Sequence, residues 1–240
     1  MTRHFFITLL LLLLASPALW AQKSDPQVDP MAYYTDKDGD QSSNEIKDGE
    51  APLEVTFKAN PSDMGDWTPS YEWHFIRKTS DGNQEMFVRY DEETTYTFSE
   101  SGSYQIVLKT YLRDGENTAE LTDKAISVSI ADSKLEFPNA FSPNGDNLNE
   151  VYQAKKDYKS IISFRAIILN RWGQKLYEWH DPAGGWDGKY HGHDCKEGVY
   201  FVLVEAKGAD GKNYKIRKDV NLIRGHSGEK GGTTTTGGGE

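Results

Sequence analysis

Tyr71-Glu72-Trp73-His74-Phe75 is the stretch that decides the fold. Its three aromatics recur at every second residue, so an extended backbone places them on one face. Neighbouring segments repeat the period. Leu53 to Phe57 alternates, and Met86 to Tyr90 and Thr95 to Phe98 are shorter candidates. Tyr104, Ile106, Leu108, Thr110 and Leu112 form one face of a longer strand, and Ile126, Val128 and Ile130 form another. Turn formers stand between them at Asp81-Gly82-Asn83, Ser101-Gly102 and Asp114-Gly115. Short strands at such regular intervals predict a β-sandwich over residues 33–132.

The second half reads the same way. Ile161 to Asn170 is an apolar run rich in β-branched residues, which predicts a strand buried on both faces. Asn170-Arg171-Trp172-Gly173 turns the chain into Gln174 to Trp179. In the tight loop Gly184-Gly185-Trp186-Asp187-Gly188, Trp186 is expected to plug the core, with Asp187 and Gly188 setting the turn. Val199 to Ala206 and Asn213 to Ile223 are strands, and Ala209-Asp210-Gly211-Lys212 between them carries a hairpin signal. The expected fold class is therefore all-β, with two consecutive immunoglobulin-like β-sandwich domains at 33–132 and 133–224.

Five blocks of this second half agree in order and spacing with one known pattern. The first is Phe137-Pro138-Asn139-Ala140-Phe141-Ser142-Pro143-Asn144-Gly145-Asp146-Asn147-Leu148-Asn149-Glu150. Asn170-Arg171-Trp172-Gly173, Gly185-Trp186-Asp187-Gly188, Gly198-Val199-Tyr200-Phe201 and Asn221-Leu222-Ile223-Arg224 follow. Together they resemble the gliding-motility-associated C-terminal domain of Bacteroidota, the type B sorting domain of the type IX secretion system. Asn147 stands where that family usually has glycine, and Glu150 where it has aspartate. The resemblance implies passage through the inner membrane by the general route, folding in the periplasm and export across the outer membrane. It also implies partners: the type IX secretion machinery and an outer-membrane protein.

The first half is similar to a PKD-type immunoglobulin-like domain. The resemblance rests on Ala51-Pro52-Leu53-Glu54-Val55-Thr56-Phe57, Tyr71 to Phe75, Tyr96-Thr97-Phe98 and Gly102 to Leu108. It departs from that family at Ile76-Arg77-Lys78, where Gly-Asp-Gly is usual. Such modules are spacers or bind proteins or sugars, so a surface protein or a glycan is the implied ligand.

Composition sets the wider limits. Hydrophobic residues make up 37% and charged residues 27%, which suits folded, sheet-rich domains. The net charge of -10 excludes nucleic acid as a partner, because phosphates require a basic surface. The charge is uneven: residues 22–131 hold 10 Lys and Arg against 22 Asp and Glu, and residues 132–240 hold 16 against 15. At the N-terminus, Arg3 and His4 precede an apolar run from Phe5 to Ala15, and a cut after Ala21 or Ala18 follows. A run of about 11 residues is too short for a bilayer core and reads as a signal peptide over 1–21. Residues 22–32 read as a linker, and 225–240 as a disordered Gly- and Thr-rich tail. Cys195 is the sole cysteine, so no intrachain disulfide forms.

Several clusters qualify for chemistry. Asp36, Asp38 and Asp40 alternate in a way that suits calcium, with a solvated acidic loop as the alternative. An EF-hand is ruled out by Gln41 and Lys47, counted from Asp36 as positions six and twelve. Asn144, Asp146, Asn149 and Glu150 could likewise converge on calcium, or serve as a fixed structural loop. Arg171 and Trp172 read either as a ligand-stacking pair or as the closure of a core edge. His191, His193 and Cys195 would share one face of an extended chain and hold zinc if a fourth ligand joined them. Cys195 has no visible base or helix start to activate it, and no Gly-x-Ser-x-Gly motif occurs.

The expected function is non-enzymatic, without a cofactor unless calcium binds. The protein would be secreted or surface-exposed, with the acidic module serving adhesion, spacing or assembly. The alternative is a periplasmic or outer-membrane-associated component of an envelope complex. A small hydrolase using the Asp36 or His191 cluster is a third reading.

Overall fold

The computed structural model describes residues 25–225. The signal-peptide reading of 1–21 and nearly all of the tail reading lie outside them. No helix occurs among the described residues. The first domain contains β1 (Gln27–Val28), β2 (Met31–Asp36), β3 (Gly39–Ser43), β4 (Glu45–Gly49), β5 (Leu53–Lys58) and β6 (Pro61–Ser62). It continues with β7 (Thr68–Thr79), β8 (Gly82–Arg89), β9 (Glu93–Phe98), β10 (Gly102–Asp114), β11 (Asn117–Glu120) and β12 (Lys124–Ile130).

One sheet runs β4-β12-β10-β7-β8 and the facing sheet runs β3-β2-β5-β9. The two-residue period does what the sequence implied. Tyr71, Trp73 and Phe75 are buried from β7, and Tyr104, Ile106 and Leu108 are buried from β10. Phe57 of the facing sheet packs edge-on against Phe75 at 5.5 Å between ring centroids. Each buried aromatic or aliphatic side chain contributes roughly 1.5–3 kcal/mol relative to exposure. Trp73 Nε1 donates to the Asp91 carbonyl at 2.9 Å, so its polar handle is satisfied. Tyr104 Oη donates to the Glu100 carbonyl at 2.9 Å, which makes a tyrosine corner of the kind immunoglobulin-like sandwiches carry.

The start of this domain differs from expectation. The expected linker over 22–32 contains β1 and the start of β2, and Val28 belongs to the core. The presumed acidic loop is a hairpin, in which Asp36 pairs with Gly39 and Thr35 with Asp40. Residues such as Gly39-Asp40-Gln41-Ser42-Ser43 have poor strand propensity. Their ladder with β2 holds them there instead.

The second domain contains β13 (Ala140–Phe141), β14 (Tyr152–Gln153), β15 (Ile161–Leu169), β16 (Lys175–Trp179) and β17 (Gly185–Trp186). β18 (Lys189–Tyr190), β19 (His193–Asp194), β20 (Gly198–Gly208) and β21 (Asn213–Leu222) complete it. Its main sheet runs β13-β21-β20-β15-β16, and β14 with β17 forms a small second layer. Trp186 is fully buried between Phe141 at 5.3 Å and Tyr200 at 5.0 Å. β15 corrects the expectation of burial on both faces. Phe164, Ala166 and Ile168 are buried, but Arg165 on the other face is exposed and Ile167 only half-buried.

The two domains meet at one end of this sheet. Ala209, in the β20–β21 turn, is buried in the first domain's core, and Ile162 packs beside it. Ser101 N–H donates to the Ala209 carbonyl at 3.1 Å, and Ala209 N–H donates to the Ser160 carbonyl at 2.9 Å. Ala51 N–H donates to Ser160 Oγ at 3.2 Å in a buried setting. Lys159 pairs with Asp48 at the rim.

Candidate functional site

Strand direction sorts the motif blocks. Leu169 pairs with Phe201, Gly198 with Leu222, and Phe141 with Leu222. The end of β15, the start of β20 and the ends of β13 and β21 therefore share one end of the sheet. The other end carries Ser160 and Ala209, which dock on the first domain. All five blocks singled out from the sequence thus reach the pole farthest from the domain junction.

Arg224 ties this pole together. Its guanidinium donates to the Pro143 carbonyl at 3.0 Å, the Gly188 carbonyl at 3.2 Å and the Cys195 carbonyl at 3.4 Å. Asp194 lies 3.4 Å away and supplies the countercharge. The 141–150 loop and both ends of the β18–β19 hairpin are held by one planar fork of donors. Gly188 sits under this clamp at φ 78°, and a Cβ there would lie 3.0 Å from Pro143 and 3.2 Å from Leu222. Both space and backbone conformation require glycine at that point.

The 141–150 loop is organised by its own side chains. Leu148 N–H donates to Asp146 Oδ1 at 2.8 Å, and Asn144 Nδ2 donates to Asp146 Oδ2 at 3.0 Å. These bonds hold the Asp146 carboxyl below the usual carboxylate range. Asn147 N–H donates to Glu150 Oε1 at 3.1 Å. Gly145, Asn147 and Asn149 adopt positive φ, so asparagine fills the left-handed position at 147 where the resembling family has glycine. Ser142 N–H donates to the Asn149 carbonyl at 2.8 Å and closes the loop.

At the other calcium candidate, Thr35 Oγ1 donates to Asp40 at 2.7 Å and Asp38 N–H donates to Asp36 at 2.8 Å. Among the described residues, no three His, Cys, Asp or Glu side chains converge as a metal site. His191 and Gly192, at φ 51° and 80°, form the turn between β18 and β19. The chain is therefore not extended through His191, and the alternation that suggested zinc does not bring His191, His193 and Cys195 onto one face. Burial pushes the Cys195 thiol above its ordinary pKa, the opposite of an activated nucleophile.

The turn at 170–173 holds the largest surprise. Asn170 Oδ1 accepts the N–H groups of Trp172 at 3.0 Å and Gln174 at 3.1 Å, and Gly173 takes φ 79°. Gln174 Nε2 donates to Tyr190 Oη at 3.1 Å, which joins the turn to the next hairpin. Trp172 closes no core edge: it is 81% exposed, with the Arg171 guanidinium 5.5 Å from its ring. Beside it, Tyr200 Oη donates to the Lys196 carbonyl at 2.7 Å, and Val199 faces outward. Arg171, Trp172, Tyr190, Lys196, Val199 and Tyr200 line a groove of about 400 Å³.

Two features escaped the sequence reading. The Arg224 clamp had no signal beyond the block it ends. The docking role of Ala209 was hidden because a hairpin turn ordinarily lies in solvent.

Residues 135–218 match the family model of the CHU_C Type IX secretion signal domain, in agreement with the motif blocks above. No curated protein matches the chain. Among solved structures, the chain is similar at 16% identity and TM-score 0.25 to SGBP-B of the Bacteroides ovatus mixed-linkage glucan utilization locus, solved with a mixed-linkage heptasaccharide. The likeness covers 83% of this chain and 48% of that one. It is similar at 11% identity and TM-score 0.27 to dimeric latent PorU from Porphyromonas gingivalis, with 85% and 21% covered. A tetra-tandem repeat from the extending region of a large adhesion protein gives 13% identity and TM-score 0.26, with 84% and 68% covered. The chain thus spans about half the length of the first and a fifth of the second. Likenesses at these TM-scores decide nothing about this chain.

Proposed function

We propose that this is a non-enzymatic protein of the cell surface or medium, in which an acidic module travels with a type IX signal domain. The observation that carries the reading is the match of residues 135–218 to that signal domain. The signal domain supports export and an interaction with the type IX machinery. An outer-membrane protein is the proposed partner at the point of crossing, with residues 1–21 directing passage through the inner membrane. The first module, read as a diverged PKD-type domain, then serves adhesion, spacing or assembly. It has the architecture for a spacer, because its end is filled by Ala209 and hydrogen-bonded to the signal domain. The module would therefore be carried rigidly rather than on a loose tether. The surplus of carboxylates in residues 22–131 keeps it soluble and away from anionic lipid and polysaccharide.

The test is location. Native cells and cells lacking the type IX machinery are fractionated, and intact cells are treated with protease and probed for both domains. Surface-exposed or released protein in native cells, lost without the machinery, is the expected result. Protected full-length protein in the periplasm of both strains would replace this reading with an envelope component.

A further inference from the structure

We infer that the groove at Trp172 is the surface by which the signal domain docks on a protein of the export path. The partner would present an apolar side chain beside a carboxylate. The inference rests on the proposed function and assigns a place to its partner.

Three observations carry it. The first is exposure without a structural role. Asn170 builds the turn through backbone N–H groups, so the turn needs no particular side chain at position 172. An indole that is 81% exposed contributes little to the core. It is nevertheless presented on a fixed base, because Asn170, Gln174 and Tyr190 are hydrogen-bonded in series. A pre-ordered aromatic loses little entropy on binding. Trp, Tyr and Arg together are the residue types that dominate binding energy at protein interfaces.

The second observation is continuity. Val199 and Phe201, two apart on β20, share its outward face at 45% and 38% exposure. Phe201 pairs with Leu169, the residue just before the turn. Trp172 is therefore one edge of an apolar strip and not an isolated ring.

The third is charge and place. Arg171 and Lys196 line the groove, and neither forms an ion pair among the described residues. The lining carboxylate, Glu197, accepts the Arg224 N–H instead of meeting either cation. The groove thus offers apolar surface flanked by two positive groups, which is complementary to an acidic apolar patch. It lies at the pole opposite the docked first domain, so a partner can approach without displacing that domain.

The experiment uses the full chain in its native host. Trp172→Ala, and separately the double reversal Arg171→Glu with Lys196→Glu, are compared with wild type and with Tyr90→Ala, an exposed aromatic of the first domain. Surface-exposed and released protein is measured in cells with and without the type IX machinery. Thermal midpoint and sedimentation are measured on the purified proteins. The expected result is machinery-dependent export that falls at least about fivefold in both groove variants, with unchanged midpoint and Tyr90→Ala at wild-type level. Machinery-dependent export at wild-type level in both groove variants overturns the docking surface alone. Wild-type export that survives loss of the machinery overturns the proposed function and this inference with it. A wild-type dimer that both variants dissolve assigns the groove to a second copy. Normal export with lost retention on cells assigns it to a surface glycan. Either of these last outcomes overturns the proposal.

Discussion

At one end of the second domain, the β20–β21 turn puts Ala209 into its neighbour's core and exchanges hydrogen bonds with Ser101 and Ser160. At the other end, the turn between β15 and β16 puts Trp172 into solvent. A small residue is buried at one pole, and a large one is exposed at the other where a small one would serve. Hydrophobicity alone does not place a turn residue. What lies opposite the turn does. The first domain's open end accepts a methyl group and one backbone bond, whereas nothing among the described residues covers the far pole.

The contrast is sharpest between two tryptophans of the second domain. Trp186→Ala is expected to cost about 3–5 kcal/mol, because it empties the site between Phe141 and Tyr200. Trp172→Ala should change stability by no more than about 0.5 kcal/mol. Urea unfolding of the two variants measures both, and equal costs would break the distinction between the poles.

Ala209→Asp tests the docked end. It puts a carboxylate into the first domain's core, and we expect a loss of about 2–4 kcal/mol with the two domains no longer unfolding together. A single coincident transition at wild-type stability, followed by fluorescence and circular dichroism, would show that the junction is incidental.

Arg224→Ala probes how far the outer pole depends on its clamp. The carbonyls of Pro143, Gly188 and Cys195 lose a shared donor, which is worth about 1–2 kcal/mol. Limited proteolysis should then cut within residues 141–150 before it cuts at the domain junction. Cleavage at the junction first would invert the comparison.

The smallest effect is a pH dependence. Glu178 accepts from Arg165 Nε at 2.7 Å and Lys175 Nζ at 2.6 Å, and these bonds hold its carboxyl down at about 2. A depressed folded-state value contributes stability that is fully present above the ordinary carboxylate range near 4.5. It is lost as pH falls toward about 2. Glu178→Gln should therefore flatten the stability curve between those values, with its cost present at neutral pH and vanishing near pH 2. An unchanged acid limb would show that the three side chains are not coupled in solution.

Strands with a clear two-residue period were legible. β5, β7, β10 and β12 stand where alternation put them, because a half-buried strand must alternate to bury one face. β3 and β4 were not legible. Gly39-Asp40-Gln41-Ser42-Ser43 has no apolar face, and Glu45-Ile46-Lys47-Asp48-Gly49 has one buried residue, Ile46. Pairing holds both: the hairpin partner β2 for the first, and β12, remote in sequence and parallel, for the second. The blocks that mark the candidate site were readable as blocks. Their convergence was not, since it depends on which strand ends share a pole.

The sequence by itself determined the all-β class, the burial of Trp186 and the likeness to a type IX signal domain. These follow from local period, turn chemistry and motif order, all of which are written in neighbouring residues. Only the tertiary structure decided that Ala209 is core, that Trp172 is surface and that Arg224 joins the 141–150 loop to the β18–β19 hairpin. Each of those depends on what another part of the chain places opposite the residue, and the free energy of burial belongs to the pair rather than to either residue alone.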